Sequence, residues 1–462
     1  MATSAASGGG APAAAAAAAP KDASPSSSAR PKVLILTGPT AVGKTKASLA
    51  LAEALGGEII SADSVQVYRR LDIGSDKIRP EEQRGIPHHL IDVLDPEAEF
   101  SAGDFFTLAR SAAEDILRRG RTPIVVGGTG FYLRWFIHGK PATPGATPAS
   151  EAAAHERLEQ AYAEAAAAAG KAAADLAPEE RWAAGCALID ALGDAASAER
   201  LRGERNNQYR LLRVVDILLQ TGGRTLAELD LDAQRPTDYD CRCFFLHRPR
   251  AELYRRIDGR VEEMMAGGLL TECQEVLLDA GIAPNSNCAS RAIGYRQAGE
   301  ALQRWHADPE SLTEQSVIQA VQAVQAASRQ LCHKQMTWFR DEELFRWIDA
   351  TQGEEAVLAE MLQRWAAPQH EGGCGDSGRL TKEQEREMRR YVTKLRLYYK
   401  GSPEMQKTLE EARQLVAARA GQAAPARQPA RPPPRTAAAT AAAVQGANLD
   451  SEGAPAAPAA AP

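Results

Sequence analysis

The most specific chemical feature of the sequence is a glycine-rich loop between an apolar run and a helical segment. The loop reads Gly38-Pro-Thr-Ala-Val-Gly-Lys44-Thr45; it follows the strand-like residues 32–36 and precedes a helix that we expect to begin near Lys44. Glycines let backbone N–H groups point at a phosphate, and the helix N-terminus adds its dipole. Lys44 supplies a positive charge, and the Thr45 hydroxyl can reach Mg²⁺. The loop predicts a phosphate site that suits a diphosphate ester as well as a nucleoside triphosphate.

A second apolar strand does not end in the acidic residue that is typical of P-loop ATPases and GTPases. In those proteins an Asp at this point holds Mg²⁺ against the β- and γ-phosphates. Here the run at residues 124–126 continues into Gly127-Gly128-Thr129-Gly130. Such a run permits close approach of the backbone to a ligand, or else forms a tight structural turn. The sequence therefore indicates a bound diphosphate without indicating a nucleoside triphosphate.

Seven separated blocks carry further patterns. They are residues 61–74 (which include Asp63-Ser-Val-Gln66) taken with the phosphate loop, 87–92, 126–130, 209–213, 256–260, 291–296 (Arg291-Ala-Ile-Gly-Tyr-Arg296) and 334–340 (Lys334-Gln-Met-Thr-Trp-Phe-Arg340). In this order they resemble the motifs of the tRNA dimethylallyltransferase (tRNA isopentenyltransferase) family, over about residues 31–349. Some blocks look most like the plant and algal branch, which itself resembles bacterial enzymes.

The resemblance implies a reaction. The dimethylallyl group passes from dimethylallyl diphosphate to N6 of the adenosine 3′ of the anticodon in tRNA, with Mg²⁺ as cofactor, and pyrophosphate leaves. Carried onto this chain, the family's catalytic roles fall on Asp63, which engages the adenine amine, on Arg260, which neutralises the departing charge, and on Thr45, which also ligates the metal. The diphosphate is held by Gly38, Pro39, Thr40, Ala41, Val42, Gly43, Lys44 and Thr45. The implied tRNA contacts, in the anticodon stem-loop, are Asp63, Ser64, Val65, Gln66, Thr129, Tyr209, Arg210, Arg213, Arg291, Gly294, Tyr295, Arg296, Lys334 and Gln335.

Elementary chemistry supports two of these roles, although each has a structural alternative. An exocyclic amine is a poor nucleophile, so a carboxylate just past a strand end can orient it and accept its proton. The alternative for Asp63 is a turn or helix cap. Allylic carbon–oxygen cleavage places charge on the leaving diphosphate, where preorganised cations contribute most. The alternative for Arg256 and Arg260, one helical turn apart, is a solvated basic face.

Other functions compete with this one. A P-loop small-molecule kinase shares the phosphate loop, and an adenylate isopentenyltransferase of cytokinin synthesis performs the same chemistry on a free nucleotide. A nucleotide-gated RNA-binding module is the non-enzymatic alternative.

The sequence departs from the family pattern in two places. The segment before Tyr209 lacks an expected Asn-Asp pair, and only His370 and Cys374 follow Trp365 as candidate zinc ligands, so no zinc finger is expected.

The element pattern predicts an α/β fold, a P-loop-containing parallel sheet core with an inserted helical subdomain and disordered termini. Strand-like runs at 32–36, 58–61 and 122–126 alternate with helical segments such as 102–119, which places ligands at the carboxyl edge of the sheet. Residues 32–148 form the first part of the core. The Ala-rich residues 149–204 form the inserted subdomain, and 205–365 form the rest of the core with the tRNA-binding helices.

Both ends of the chain are of low complexity. Residues 1–31 predict a disordered leader that resembles a transit peptide, which favours a plastid or a mitochondrion, with the cytoplasm as the alternative. Residues 366–462 predict a linker and a disordered tail around a charged helical segment at 380–419, which we expect to be solvated and accessory, or else a second RNA contact. Removal of everything after about Trp365 is expected to leave catalysis intact.

Composition limits the remaining classes. With 54 basic and 60 acidic residues the net charge is -6, so RNA must be contacted through local basic clusters. The seven cysteines include no C-x-x-C pair, and Cys241 and Cys243 alternate in a strand-like run, which predicts buried thiols and no metal site. The pair His88-His89 is expected to make structural hydrogen bonds. No apolar run is long enough to span a bilayer, so we expect no membrane partner, and we expect a monomer.

Overall fold

The structure is a computed structural model that describes residues 30–203, 208–231, 238–367, 386 and 391–420. Several features of the sequence lie outside these residues. They are most of the leader, the Asn-Asn pair before Gln208, Cys374 and His370, and the tail after residue 420.

A six-stranded parallel sheet forms the centre of the molecule. The strands are β1 (Lys32–Thr37), β2 (Gly57–Ser61), β3 (His88–His89), β4 (Thr122–Val126), β5 (Asp240–His247) and β6 (Phe345–Asp349), in the spatial order β3-β2-β4-β1-β5-β6. In register, Ile35 lies between Val125 and Cys243. The central strand β1 is apolar from residue 33 to residue 36, as expected for a strand that neighbouring strands and covering helices shield from water. The predicted α/β class and parallel sheet are confirmed.

Fifteen helices are named among the described residues. They are α1 (Lys44–Leu55), α2 (Ala102–Arg118), α3 (Gly130–His138), α4 (Pro148–Ala168), α5 (Pro178–Ala191), α6 (Ala195–Gly203), α7 (Gln208–Thr221), α8 (Leu226–Leu231), α9 (Arg250–Ala266), α10 (Leu269–Cys273), α11 (Cys288–Arg291), α12 (Tyr295–Ala307), α13 (Glu314–Arg340), α14 (Glu354–Ala366) and α15 (Pro403–Ala420). Helix α2 begins where the sequence predicts, because Ser101 and Asp104 cap its first turn reciprocally.

The inserted helical subdomain is larger than the sequence indicated. Its separate hydrophobic core combines Leu158 of α4, Trp182 of α5 and Leu201 of α6 with the buried face of α7, which includes Leu211 and Val215. Helix α7 therefore contributes to this second core, although the predicted boundary at residue 204 lies before it. The Ala-rich composition ends before α7, but α7 packs its apolar face against α4 and α5.

Of the charged segment predicted at 380–419, the structure describes residue 386 and residues 391–419, and the helix there is packed and not solvated, which corrects the prediction for that part. Helix α15 packs against α9, α10, α12 and α13, and Met405, Leu409 and Ala412 join the main hydrophobic core. These residues, with Val416, recur at intervals of four and three, so a helix that carries few apolar side chains still buries one apolar face. Ahead of the helix, Tyr398 is fully buried.

The histidine pair makes the predicted structural hydrogen bonds, and of the two strand cysteines Cys243 is buried and Cys241 half-buried. His88 Nδ1 lies 2.8 Å from the carbonyl oxygen of Ile86, and His89 Nε2 lies 2.8 Å from the Glu58 carboxylate. Burial raises the pKa of the Cys241 thiol to about 12. No cluster of three or more metal-ligating side chains occurs among the residues that the structure describes. None of the helices described is both long and apolar enough to cross a bilayer.

Candidate active site

The phosphate loop joins the carboxyl end of β1 to the N-terminus of α1. Gly43 has a φ of 112°, a conformation that glycine adopts without strain. A Cβ on Gly38 would lie 2.5 Å from the carbonyl oxygen of Leu246, so this glycine permits close contact with β5. The Lys44 ammonium donates to the carbonyl oxygens of Gly38 and Pro39, each at 2.9 Å, and so closes the loop. Thr45 is exposed in the first turn of α1.

Three arginines donate hydrogen bonds to three successive residues of this loop. Arg248 Nε donates to the carbonyl oxygen of Val42 at 3.2 Å, and Arg256 Nε donates to that of Ala41 at 2.7 Å. Arg260 Nη2 donates to the hydroxyl of Thr40. Arg260 is half-buried, whereas Arg256 is exposed and faces solvent while its Nε bonds to the loop.

The sequence analysis missed one of the three, Arg248. Its position directly after β5, at the carboxyl edge of a parallel sheet, was the available signal.

Electrostatics place the candidate catalytic groups around Lys44. Burial, followed by the nearby positive charge of Arg260, lowers the pKa of Lys44 to about 8. The carboxylates of Asp63 and Asp76 act in the opposite direction and raise that pKa. Lysine, arginine and two carboxylates therefore share one site, as the motif order predicted for three of them.

Asp63 lies just beyond the end of β2, in the turn that leads away from the sheet. Its Oδ1 accepts hydrogen bonds from the backbone N–H of Val65, at 2.8 Å, and of Gln66, at 3.3 Å. One carboxylate oxygen of Asp63 thus caps the turn, as the structural alternative predicted. These two hydrogen bonds orient the carboxylate and so determine where its other oxygen points. Gln66 lines the same turn and donates to the carbonyl oxygens of Ser75 and Asp76, while Ser64 is exposed.

The glycine run after β4 is explained by contacts within the protein. A Cβ on Gly127 would lie 2.1 Å from the carbonyl oxygen of Ala62, and one on Gly130 would lie 2.4 Å from the indole nitrogen of Trp338. Thr129 is half-buried and begins α3 without a capping hydrogen bond from its side chain. The structural-turn alternative therefore accounts for Gly127 and Gly130.

Gln335 joins the two loops of the site. Its Oε1 accepts from the backbone N–H of Thr40 at 2.9 Å, and its Nε2 donates to the carbonyl oxygen of Gly128 at 3.1 Å. Both functional atoms of the amide are used within the protein. The structure thus gives Gln335 a bridging role, and its predicted tRNA contact stays a prediction.

Gly294 and Tyr295, for which the motifs predicted tRNA contacts, are both buried, and Tyr295 contacts other parts of the protein. The Tyr295 hydroxyl donates to the Glu272 carboxylate at 2.5 Å. That carboxylate also accepts from the backbone N–H groups of residues 72, 73 and 74. A Cβ on Gly74 would lie 2.6 Å from the Tyr295 ring. Tyr295 of the block at 291–296 therefore packs against the turn at residues 72–74 of the block at 61–74, which explains why the two blocks occur together.

The other predicted tRNA contacts separate into one internal residue and five with surface exposure. Arg213 bonds to Asp216 and to the carbonyl oxygen of Pro144, so it ties α7 to the preceding loop. The residues with surface exposure are Tyr209, Arg210, Arg291, Arg296 and Lys334. Tyr209 is 74% exposed. For these five the tRNA contact stays a prediction.

The oxygen donors of the site suit Mg²⁺. Mg²⁺ takes oxygen ligands, and it commonly keeps several waters and binds through one or two protein oxygens together with substrate phosphates. The exposed Thr45 hydroxyl at the start of α1 is such an oxygen. The carboxylate of Asp63 lies in the same electrostatic cluster.

The fold and the site define a P-loop α/β protein. A family model described as IPP transferase matches residues 66–342, and one described as isopentenyl transferase matches residues 31–94. The chain belongs to the IPP transferase family, as the sequence motifs indicated.

Curated relatives agree with this assignment. The chain is 39% identical to tRNA dimethylallyltransferase 9 of Arabidopsis thaliana, over 72% of this chain and 74% of that protein. It is 35% identical to the tRNA dimethylallyltransferase of Protochlamydia amoebophila, over 72% of this chain and 88% of the relative. A solved eukaryotic dimethylallyltransferase acting on tRNA is 24% identical, with a TM-score of 0.57 over 74% of this chain and 81% of that one, and shares the fold.

Proposed function

We propose that this protein is a tRNA dimethylallyltransferase, which moves the dimethylallyl group from dimethylallyl diphosphate to N6 of the adenosine 3′ of the anticodon and releases pyrophosphate. The observation that carries the proposal is the grouping of Lys44, Arg260 and Asp63 at the carboxyl edge of the sheet. Two cations serve the donor, and one carboxylate serves the acceptor. Family membership supports the same assignment.

On the donor side, the backbone of the phosphate loop and the ammonium of Lys44 bind the diphosphate. As the allylic carbon–oxygen bond breaks, negative charge grows on the leaving pyrophosphate. Arg260 lies against Thr40 of the loop and neutralises that charge without large movement. A bound Mg²⁺, held by Thr45, would supply further neutralisation of the diphosphate.

On the acceptor side, Asp63 orients the exocyclic amine and accepts its proton as the nitrogen–carbon bond forms. Two backbone N–H groups fix Oδ1, so the carboxylate cannot rotate freely. The adenine must leave its stack in the anticodon loop to reach this carboxylate, at a cost of about a few kcal/mol. Contacts along the RNA backbone have to offset that cost, and Arg210, Arg291 and Lys334 are proposed to make them.

Incubation of the protein with labelled dimethylallyl diphosphate, Mg²⁺ and an unmodified anticodon stem-loop RNA tests this function. We expect efficient prenylation of the RNA and none of AMP, ADP or ATP. Lys44→Ala should abolish turnover through loss of the donor, whereas Asp63→Asn should retain the donor and cut the rate by about 10²–10⁴-fold.

A preference for ATP or ADP as prenyl acceptor would favour the cytokinin-synthesising alternative. Phosphoryl transfer from ATP to a small molecule, without prenylation of RNA, would favour the kinase.

A further inference from the structure

A carboxylate that the motifs did not single out faces the cation proposed to stabilise the leaving group. Arg260 Nη1 donates to Asp76 Oδ2 at 2.7 Å, while the second amino group of the same guanidinium bonds to Thr40. The Arg260 side chain is 25% exposed and that of Asp76 54%. The guanidinium thus spans the gap between the phosphate loop and the turn at residues 72–77.

That turn is anchored on two sides, so the position of the carboxylate is fixed. On one side the Glu272 carboxylate holds three successive backbone N–H groups. On the other, the buried Lys77 ammonium donates to the Tyr68 carbonyl oxygen at 2.8 Å and pairs with Asp72 and Asp92. A carboxylate on a clamped turn restrains its arginine better than one on a mobile loop, because little further entropy is lost.

The backbone of Asp76 also connects the turn to the acceptor side. Its carbonyl oxygen accepts a hydrogen bond from Gln66 Nε2 at 3.4 Å. Gln66 lies three residues after Asp63 in the chain. Its φ of 52° lies in the left-handed region, which Asp and Asn adopt more readily than most residues. Asp76 therefore contacts the donor half of the site through its side chain and the acceptor half through its backbone.

We propose that Asp76 is a positioning residue that orients Arg260 over the phosphate loop and partly offsets its charge until a diphosphate enters the site. The expected effect of Asp76 on the rate of prenyl transfer rests on the proposed function. The expected effect on anion affinity is independent of that function. An incoming diphosphate competes with the Asp76 carboxylate for the guanidinium. Asp76 thereby lowers the affinity for the anion and keeps Arg260 in the orientation that the transition state requires.

Two substitutions at one position separate charge from geometry. Asp76→Asn keeps an acceptor oxygen near Arg260 but removes the charge, whereas Asp76→Ala removes both. Asp95→Asn is the matched control, because Asp95 forms an exposed ion pair of 3.0 Å with Arg69 outside the phosphate loop. Melting temperatures within about 2 °C of the parent would show that all three variants fold, as expected for exposed side chains.

The first measurement is the affinity for inorganic pyrophosphate with Mg²⁺, by calorimetry and without RNA. We expect Asp76→Asn and Asp76→Ala to bind pyrophosphate about 3-fold more tightly or better, because a negative charge near the anion is gone. Asp95→Asn should bind it as the parent does. Unchanged or weaker binding in both Asp76 variants overturns the proposal.

The second measurement is the single-turnover rate of prenyl transfer to the stem-loop RNA at saturating donor. We expect Asp76→Ala to lower it by about 10-fold and Asp76→Asn to stay within about 3-fold of the parent, since misplacement of a catalytic group is costly. In an Arg260→Ala background, Asp76→Ala should change the rate by less than about 2-fold. A full additional 10-fold loss there would mean that Asp76 does not act through Arg260, which overturns its positioning role.

The two measurements distinguish failure of this inference from failure of the proposed function. A parent protein that binds pyrophosphate but never prenylates RNA refutes the function, and the pyrophosphate affinities then decide the role of Asp76. A parent that prenylates RNA while both Asp76 variants match Asp95→Asn refutes the inference alone.

Discussion

At the scale of single residues, the ionisation of Lys44 controls what the empty site can bind. Its ammonium is desolvated and lies near the guanidinium of Arg260, and together these bring its pKa down to about 8. The protonated form is the one that attracts a diphosphate. A bound anion stabilises that form, so binding raises the pKa and takes up protons at slightly alkaline pH.

The affinity for pyrophosphate is therefore expected to fall as pH rises through about 8. Between pH 7 and pH 9 the protonated fraction of Lys44 in the empty site drops by about 10-fold, and the affinity should drop by a similar factor. Calorimetry in buffers of different ionisation enthalpy measures both the affinity and the proton uptake.

Lys44→Arg is the control for that titration, because a guanidinium stays charged across this range. Titration of pyrophosphate itself affects both proteins equally and cancels in the comparison. Parallel pH profiles for the parent and the variant would show that Lys44 does not titrate near pH 8.

At the scale of elements, the site depends on how closely the ends of β2 and β4 approach each other. The backbone N–H of Ala62 donates to the carbonyl oxygen of Val126 at 2.7 Å, and the hydroxyl of Thr37 donates to that of Gly127 at 2.7 Å. Gly127 lies against Ala62 with no room for a side chain. Asp63 is the next residue after Ala62, so a shift of the contact between the ends of β2 and β4 would move its carboxylate.

Gly127→Ala is expected to destabilise the protein by about 1–3 kcal/mol through overpacking, and to reduce turnover further by displacing Asp63. Gly259→Ala is the matched control, because Gly259 lies in the interior of α9 and a Cβ there would meet nothing within 4 Å. That change should stabilise the protein by up to about 1 kcal/mol. Chemical denaturation of the two variants checks both signs, and a Gly127→Ala protein as stable as the parent would contradict the packing argument.

The sequence predicted the elements with local signals and missed the contacts between distant elements. The phosphate loop, the first strands and the start of α2 follow from glycine spacing, apolar runs and a capping box, which act within a few residues. The clamp of Tyr295 on Gly74, the brace of Arg248 on Val42 and the pairing of Asp76 with Arg260 join residues about 180 or more positions apart. Motif order showed that the blocks with Gly74 and Tyr295 occur together, but not whether they contact RNA or one another, and Arg248 and Asp76 lie outside the motifs.

At the scale of the whole molecule, the C-terminal segment completes the core. Glu262 of α9 is fully buried, and its carboxylate accepts from the backbone N–H groups of residues 396, 397 and 398. The Tyr391 hydroxyl donates to Asp258, also on α9, at 2.6 Å. Helix α9 carries Arg256 and Arg260. The segment at 391–420 therefore supports the helix that positions the donor site.

Two truncations separate this segment from the tail that follows it. A chain that ends after Ala420 should keep the stability and turnover of the parent. A chain that ends after Ala367 loses the backbone donors to the buried Glu262 carboxylate, which costs about 1–3 kcal/mol of stability. It also loses the buried side chains of Tyr398, Met405 and Leu409. Their burial together contributes several kcal/mol, before the entropy of ordering the segment is subtracted. We expect its melting temperature to fall by about 5–10 °C and its turnover to fall with it, contrary to the expectation from sequence alone.

A point variant shows whether any loss arises from packing or from RNA binding. Met405→Ala removes a fully buried side chain without changing charge, so it should lower the melting temperature while leaving the salt dependence of stem-loop binding unchanged. If the segment served mainly to hold RNA, the truncation after Ala367 would instead keep its melting temperature and lose stem-loop affinity in a way that low salt restores. That result would replace the structural role of residues 391–420 with an RNA-binding one, since neutralised phosphates, and not buried side chains, carry a salt-dependent interaction.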